Sequence, residues 1–247
     1  MGRSKSHTRL YIPGDIPVHG IFEAPPDQAH HVAHVLRLAP GDALVIFDGR
    51  GVEYPAVIER IGKSAVTLRA EAGRIVERES TLSIDLAQGI SSGERMDYTI
   101  QKAVELGVRS VQPLATERSV VRLSPERAAK RLAHWQAVAV AACEQCGRNR
   151  VPAVLPVVTL SAWLARVPAE VLRCTLAPGA STTLHTLEAP TGPVILLVGP
   201  EGGLSPRERQ DADAAGFVAL RLGPRILRTE TAALAALAAM QALWGDF

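Results

Sequence analysis

Two glycine-proline segments carry the residues of this sequence that are best suited to build a ligand site. They are Val198–Gly203 (VGPEGG) and Leu222–Glu230 (LGPRILRTE), and each follows an apolar segment and precedes a helical pattern. Glycine lets the backbone approach a ligand closely, and proline keeps a loop stiff. Because α/β proteins bind ligands beyond the carboxyl ends of strands, the pair predicts two loops that border one ligand site. The backbone groups of these loops could bind the edge of an adenine. Two rigid turns without a ligand are the alternative.

Charged side chains in these segments could act on a ligand bound between them. Arg225 and Arg228 could stabilise an anion, and solvated surface is the alternative for both. Glu201 could accept a proton or orient its loop, while Glu230 suits the positive end of the helix that follows. Neither segment has the glycine spacing of a dinucleotide fingerprint or the Gly-Lys-Ser/Thr of a phosphate loop. NAD and nucleoside triphosphates are therefore not predicted ligands.

The cysteines and histidines do not predict a metal site. Cys143 and Cys146 share one face of a predicted helix, but a structural zinc needs four ligands and Cys174 is isolated. His30 and His34 are also one helical turn apart, without an evident third ligand. We expect these side chains to pack in the core or lie on the surface.

The composition is that of a globular protein with a small excess of positive charge. Hydrophobic residues make up 47% of the 247 residues, which excludes a disordered chain, and no apolar run reaches the roughly 18 residues of a membrane span. Three cysteines and a polar first segment favour a cytoplasmic protein. Because the net charge is only +2, contact with RNA would depend on local arginines, for which solvated surface is the alternative. The candidates are Arg9, Arg37, Arg118, Arg122, Arg148 and Arg150.

Residues 1–74 have the pattern of a small β-barrel domain. Short apolar or β-branched runs are separated by turn-like Asp48–Gly51 and Gly62–Ser64. The charged residues 75–80 then indicate a linker. The predicted strands are Ala43–Phe47, Tyr54–Glu59 and Ala65–Ala70, with one helix around Asp27–Leu36.

Residues 81–247 alternate between strand and helix patterns, which predicts a mostly parallel α/β domain. A capping box with proline at the first helical position begins a helix at Ser205, and Gly147 ends another. The predicted strands are Leu82–Gln88, Ser110–Ala115, Val171–Leu176, Val194–Val198 and Phe217–Leu222. The other predicted helices are Gly93–Leu106, Pro125–Cys146 and Thr231–Trp244.

These segments together resemble the RsmE family, methyltransferases of small-subunit ribosomal RNA within the SPOUT superfamily. The resemblance covers nearly the whole chain in order, and the paired glycine-proline motifs are its most specific part. It rests on His34–Arg37, Gly93–Gly107, Ala142–Pro152, Leu197–Ser205 and Leu222–Thr231.

The resemblance implies a trefoil knot in the C-terminal domain, a PUA-like RNA-binding barrel and a homodimer. It also implies S-adenosylmethionine as the cofactor, with Ala177 departing from the polar residue that we expect at that position. The product would be N3-methyluridine near the decoding site of 16S rRNA, formed on the assembled small subunit. The implied cofactor contacts are Leu176, Ala177, Pro178, Leu197, Val198, Gly199, Pro200, Glu201, Gly202, Gly203, Leu222, Gly223, Pro224, Ile226, Leu227, Arg228 and Thr229.

The chemistry of that reaction assigns roles to three charged residues. Methylation at N3 must remove a proton, so negative charge develops on the imide oxygens and a fixed cation would stabilise it. Arg228 is our first candidate for that cation and Arg225 the second, with Glu201 as a possible proton acceptor. Ribose 2′-O-methylation, guanine-N1 methylation of tRNA and a non-catalytic role in ribosome assembly are the alternatives.

Overall fold

The computed structural model describes residues 8–62, 65–120 and 124–247, and the chain divides into two compact units. The first unit contains the described residues up to Glu79 together with Cys143–Val151. The second contains the described residues of Ser80–Ala142 and Pro152–Phe247. Within those described residues, no helix is long and apolar enough to cross a membrane.

The first unit is built on a mixed β-sheet. Its path runs β1-β3-β4-β5-β2, with β6 paired to β4; β1 and β3 are parallel and the other pairs antiparallel. Alternating residues such as Val66, Leu68 and Ala70 face its apolar core, as expected of a sheet with one buried face. The predicted β-rich unit is therefore confirmed. Its strands are β1 (Arg9–Tyr11), β2 (Ile21–Glu23), β3 (Ala43–Phe47), β4 (Val52–Ile61), β5 (Val66–Ala70) and β6 (Arg74–Ile75).

The helix of this unit is less regular than its sequence predicts. An α-helical turn, α1 (Pro26–His30), continues as a π-helix over His31–Val35, where the Leu36 N–H donates to the His31 carbonyl at 2.9 Å. Arg37 follows with a φ of 51°, a left-handed conformation that is uncommon outside glycine.

The second unit is built on a parallel sheet with the order β10-β8-β7-β12-β11-β13 and β9 beside β8. All of these pairs are parallel, which confirms the predicted α/β class. Its strands are β7 (Ile84–Gly89), β8 (Ser110–Ala115), β9 (Ala153–Val154), β10 (Val158–Thr159), β11 (Leu172–Leu176), β12 (Val194–Val198) and β13 (Val218–Leu220). The helices are α2 (Glu94–Glu105), α3 (Pro125–Cys146), α4 (Leu160–Leu164), α5 (Pro206–Ala214) and α6 (Thr229–Trp244), with a 3₁₀ turn at Leu184–Thr186.

Local signals explain where α5 begins and where α3 ends. At the start of α5, the Ser205 hydroxyl accepts from the Glu208 N–H at 3.1 Å, and the Glu208 carboxylate accepts from the Ser205 N–H at 2.9 Å. This is the predicted capping box. At the end of α3, Gly147 has a φ of +92°, which glycine adopts without steric cost.

The parallel register brings four strand ends to one edge of the sheet. Val198 of β12 is paired with Gln88 of β7, and Leu176 of β11 is paired with Leu220 of β13. Because β11 lies between β12 and β13, the loops after these three strands leave the sheet side by side. The knot that the resemblance implies stays a prediction.

Candidate active site

A cavity of about 640 Å³ lies among the loops at this edge of the sheet. Its size is within the range of about 300–1,000 Å³ that is typical of small-molecule sites. It is lined by Leu176–Pro178, by residues from Val198 to Leu204, and by much of the second glycine-proline loop, with Arg95 and Arg209. The two predicted loops thus face one cavity.

The predicted cofactor contacts all line this cavity, with two exceptions. Leu197 is fully buried in β12, where its side chain packs in the core of the second unit. Pro224 lies at the exposed tip of the second loop. Ala177 lines the cavity without a polar side chain, and its N–H donates to the Leu220 carbonyl at 2.9 Å.

At Gly199 the first loop is packed so closely that there is no room for a side chain. A Cβ atom on Gly199 would lie 2.8 Å from the Leu204 nitrogen and 3.0 Å from the Gly203 carbonyl carbon. Gly203 has a φ of +64°, and its N–H closes the turn on the Pro200 carbonyl at 2.8 Å. The backbone of this loop therefore forms the cavity wall, as the glycine pattern predicts.

A buried hydrogen-bond group joins the two glycine-proline loops. The Thr229 hydroxyl, in the first turn of α6, donates to the Gly199 carbonyl at 2.6 Å. The Gln88 side-chain amide donates to the Thr229 hydroxyl at 2.9 Å and to the Gly89 carbonyl at 3.1 Å. Gln88 is fully buried. Gln88 is not among the site residues predicted from the sequence, although an amide at the end of an apolar strand is a signal that a buried polar partner exists.

Removal of the Thr229 hydroxyl should weaken this junction. We expect Thr229→Val to lower the free energy of unfolding by about 1–3 kcal/mol, because the Gly199 carbonyl and the Gln88 amide lose a buried partner. Thr229→Ser keeps the hydroxyl and should recover most of the loss in urea titrations. The control is Thr186→Val, which removes an exposed hydroxyl that donates to the Thr183 carbonyl at 2.8 Å. Equal losses for the Thr229→Val and Thr186→Val variants would contradict the buried junction.

The carboxylate of Glu201 is held by three donors rather than left free. It accepts from the Ser92 N–H at 2.9 Å, the Ser92 hydroxyl at 2.8 Å and the Arg95 guanidinium at 2.9 Å. Burial by itself would raise the pKa of Glu201, but these hydrogen bonds, with one from its own backbone, lower the pKa to about 2. Of the two roles predicted for Glu201, its contacts favour orientation of the loop, because a carboxylate with this pKa is a weak proton acceptor.

Arg225 and Arg228 both line the cavity on its second loop. Both are exposed, and neither has an ion-pair partner among the residues that the structure describes. Their positive charges are therefore available to a bound molecule.

Two of the predicted RNA contacts are instead part of the interior of the first unit. The Arg9 side chain is 10% exposed, donates to Glu53 at 2.8 Å and lies 4.9 Å from the centre of the Phe47 ring. Arg148 is 5% exposed and forms an ion pair with Glu79. A buried guanidinium is not presented to a phosphate, so these two assignments are corrected.

The other predicted RNA contacts differ in their surroundings. Arg37 is exposed, and Arg118 is exposed with a hydrogen bond of 3.1 Å to the Gly202 carbonyl of the first loop. Arg150 is about half exposed, and its guanidinium lies 3.5 Å from the Glu77 carboxylate. Arg122 lies outside the described residues.

The buried cysteines have the properties of core residues. Burial raises the pKa of Cys143 and of Cys174 to about 12, so both remain thiols at neutral pH. In the part of the chain that the structure describes, no three His, Cys, Asp or Glu side chains are grouped so that they could hold a metal ion.

Comparison with known proteins identifies the family. The model of an RNA methyltransferase domain matches residues 78–241, and the model of an RNA methyltransferase PUA domain matches residues 25–71. Ribosomal RNA small subunit methyltransferase E of Buchnera aphidicola is 32% identical over 99% of this chain and 97% of its own length. The chain belongs to the ribosomal RNA small subunit methyltransferase E family.

Solved structures of this fold support the same assignment. A putative methyltransferase from Legionella pneumophila, in complex with the bound cofactor SAM, has a TM-score of 0.95 and 41% identity and covers 98% of this chain and 99% of its own. Ribosomal RNA small subunit methyltransferase E from Neisseria gonorrhoeae, bound to S-adenosyl methionine, has a TM-score of 0.91 and 43% identity with the same coverage. The predicted family is therefore confirmed, as are its two kinds of domain.

Proposed function

We propose that this methyltransferase uses S-adenosylmethionine to methylate N3 of a uridine in small-subunit ribosomal RNA. The observation that carries the proposal is the cavity between the two glycine-proline loops, in a chain whose relatives from Legionella and Neisseria bind this cofactor. The names of the relatives support the small subunit as the substrate class. The uridine and its position near the decoding site are carried over from the family resemblance.

The residues around the cavity fit this cofactor. Its lining combines apolar side chains, among them Leu176, Val198 and Leu222, with backbone groups of the first loop. The close approach of Gly199 to Leu204 excludes a side chain at residue 199, so the backbone is exposed to the cavity there. When bound, S-adenosylmethionine supplies an electrophilic methyl group on a sulfonium centre. The loops would hold the cofactor through apolar contact and backbone hydrogen bonds.

The protein's own contribution to the chemistry is positioning and positive charge. Loss of the N3 proton places negative charge on the imide oxygens of the base, and Arg228, with Arg225, can stabilise it from the second loop. Exclusion of water by the loops would strengthen that interaction. Glu201 keeps the first loop in place through Ser92 and Arg95.

The remaining parts of the proposal concern partners and context. The assembled small subunit is the substrate, a homodimer is the active form, and the enzyme works in the cytoplasm. The exposed arginines Arg37, Arg118 and Arg150 are the candidates for contact with RNA phosphates. The substrate and the homodimer follow from the resemblance, and the cytoplasm follows from the small number of cysteines. The exposure of the three arginines supports their contact with RNA.

Mass spectrometry of ribosomal RNA tests the proposed reaction directly. A strain that lacks this gene should lack one N3-methyluridine in its 16S rRNA, and the purified protein should restore it to isolated small subunits with S-adenosylmethionine. Retention of N3-methyluridine in the deletion strain would contradict the uridine-N3 assignment. Calorimetry that detects no cofactor binding, with or without the small subunit, would instead favour an assembly factor.

Loss of the Arg228 charge should slow the reaction far more than it weakens cofactor binding. We expect Arg228→Ala to lower turnover by about a hundredfold, the size typical of losing one donor to a developing anion. The Kd for S-adenosylmethionine, measured by calorimetry, should change much less. Arg166→Ala, which removes an exposed arginine away from the cavity, is the control and should keep full turnover. Wild-type turnover of the Arg228→Ala variant would reject the assignment.

A further inference from the structure

Arg95 is a charged residue of the cavity that is not among the site residues predicted from the sequence. It lies in the first turn of α2, and it lines the cavity together with both glycine-proline loops. Its side chain is 42% exposed, so it borders the cavity without being part of the core.

The Arg95 guanidinium is anchored from three sides. Its Nη1 donates to the Glu201 carboxylate at 2.9 Å and to the Ser92 hydroxyl at 3.2 Å. Its Nε lies 3.8 Å from a carboxylate oxygen of Glu230. Because Glu201 belongs to the first glycine-proline segment and Glu230 is the last residue of the second, one cation contacts both segments.

Part of the Arg95 guanidinium has no hydrogen-bond partner among the described residues. An arginine has five N–H donors, and the Nη2 group of Arg95 donates to no residue that the structure describes. The Glu201 carboxylate that holds Arg95 is itself fixed by the Ser92 backbone N–H at 2.9 Å. The free donors of Arg95 therefore belong to a group whose position is already set.

A fixed cation is the kind that catalysis needs. Stabilisation of a developing charge is largest when the donors do not have to reorganise during the reaction. Arg225 and Arg228 are exposed and without ion-pair partners among the described residues, so each loses side-chain freedom when it becomes fixed. Arg95 has lost that freedom in the folded protein.

We propose that Arg95 is a further catalytic residue, whose free N–H groups stabilise the negative charge on the imide of the target base. The proposal rests on the proposed uridine-N3 methylation. In that step the N3–H bond breaks and its proton passes to water, the bond from N3 to the methyl carbon forms, and the bond from that carbon to sulfur breaks with its electron pair on sulfur. Arg95 stabilises the negative charge that remains on the base as the proton departs. The anchored Arg95 and the exposed Arg228 act on the same charge.

The competing role for Arg95 is that of a brace between the two loops. A brace would affect the cofactor affinity, and its loss would have the same effect on every substrate. A group that stabilises charge on the base has an effect that depends on the acidity of N3. The two roles therefore separate when the acidity of the base is changed.

The experiment compares small subunits reconstituted with 16S rRNA that contains either uridine or 5-fluorouridine. Fluorine withdraws electrons and makes N3 more acidic, so the base needs less stabilisation by the protein. Single-turnover rates are measured with saturating S-adenosylmethionine for the wild type, Arg95→Gln and the exposed control Arg166→Gln. The Kd for S-adenosylmethionine is measured in parallel by calorimetry.

We expect Arg95→Gln to lower the rate on ordinary uridine by about a hundredfold. Fluorination should recover about tenfold more rate in this variant than in the wild type, because a more acidic base needs less stabilisation from Arg95. A tenfold change in rate corresponds to 1.36 kcal/mol of the barrier. Arg95→Lys keeps the charge beside Glu201 and should fall between the wild type and Arg95→Gln. If the Gln variant does not fold, Arg95→Lys is compared instead; it loses the free Nη2 donors but keeps the charge, so fluorination should recover a smaller factor.

Two results would reject the proposal, and a third concerns only the proposed function. If fluorination changes the rates of the Arg95 variants and the wild type by the same factor, Arg95 is a brace. If Arg95→Gln keeps the wild-type rate on both substrates, it has no role in the reaction. Failure of the wild-type enzyme to methylate ordinary small subunits would instead contradict the proposed function, and it is recognised before any variant is compared.

Discussion

Glu53→Gln should lower the free energy of unfolding by about 3–5 kcal/mol, the cost typical of breaking a buried ion pair. The Glu53 carboxylate is 2% exposed. It accepts hydrogen bonds from Arg9 at 2.8 Å, Arg78 at 3.1 Å and Asn149 at 3.3 Å, and its other oxygen lies 2.9 Å from Arg74. A neutral amide at this position would leave the mostly buried Arg9 guanidinium without its carboxylate.

An exposed ion pair in the same unit provides the control for that measurement. Glu59 accepts from Arg69 at 2.5 Å, but the two side chains are 33% and 49% exposed. Exposed pairs contribute about 0–1 kcal/mol, so Glu59→Gln should change the urea midpoint little. Equal losses for Glu53→Gln and Glu59→Gln would show that the buried cluster contributes no more to the free energy of unfolding than an exposed ion pair.

The pH dependence gives a second test of the Glu53 cluster. Burial would raise the pKa of Glu53, but hydrogen bonds from Arg9, Arg78, Asn149 and Arg74 lower it from 4.5 to about 2. A shift of this size corresponds to about 3 kcal/mol. Because the folded-state pKa is lowered, the stabilisation is fully present above pH 4.5 and is lost as the pH falls towards 2. The stability difference between the wild type and Glu53→Gln should therefore shrink over that window in urea titrations.

Gly89→Ala should weaken binding of S-adenosylmethionine while the fold is kept. A Cβ atom on Gly89 would lie 2.6 Å from both the nitrogen and the Cδ atom of Pro200, so the first glycine-proline loop must move. Overpacking of this kind costs about 1–3 kcal/mol, which corresponds to about a tenfold to hundredfold rise in Kd when it falls on the binding loop. The φ of Gly89 is not positive, so alanine brings no backbone strain of its own.

A second glycine provides the matched control for this substitution. A Cβ atom on Gly192 would meet no atom within 4 Å, and this residue lies before β12, away from the cavity. Gly192→Ala should bind the cofactor like the wild type in calorimetry. If Gly89→Ala also does so while circular dichroism shows a folded protein, the first loop is not the cofactor's wall.

Local sequence patterns were sufficient for the long elements and insufficient for the short ones. Ser110–Ala115, Pro125–Cys146 and Val194–Val198 have the predicted bounds, because each carries a full period of apolar residues or a clear end signal. β9 and β10 have two residues each and form by pairing with β8. Two residues show no periodicity, so only the partner strand could reveal them.

The sequence by itself determined the two loops that border the cavity, because glycine and proline fix the local backbone conformation whatever the rest of the fold. Only the tertiary structure decided which other side chains complete the site. Gln88 and Thr229 are separated by 141 positions in the chain, and Ser92 and Glu201 by 109, so no local pattern joins them.

Local sequence also does not tell buried arginines from exposed ones. The sequence does not distinguish Arg9, which is buried against Glu53, from Arg228, which is exposed at the cavity. It also does not show that Cys143–Val151 groups with the first unit, where Glu144 accepts from the Tyr11 N–H at 2.9 Å. The burial and the partners of a charge are set by residues far along the chain. The sequence could therefore name the loops and the family, and the folded structure was needed to show which charges are free to act.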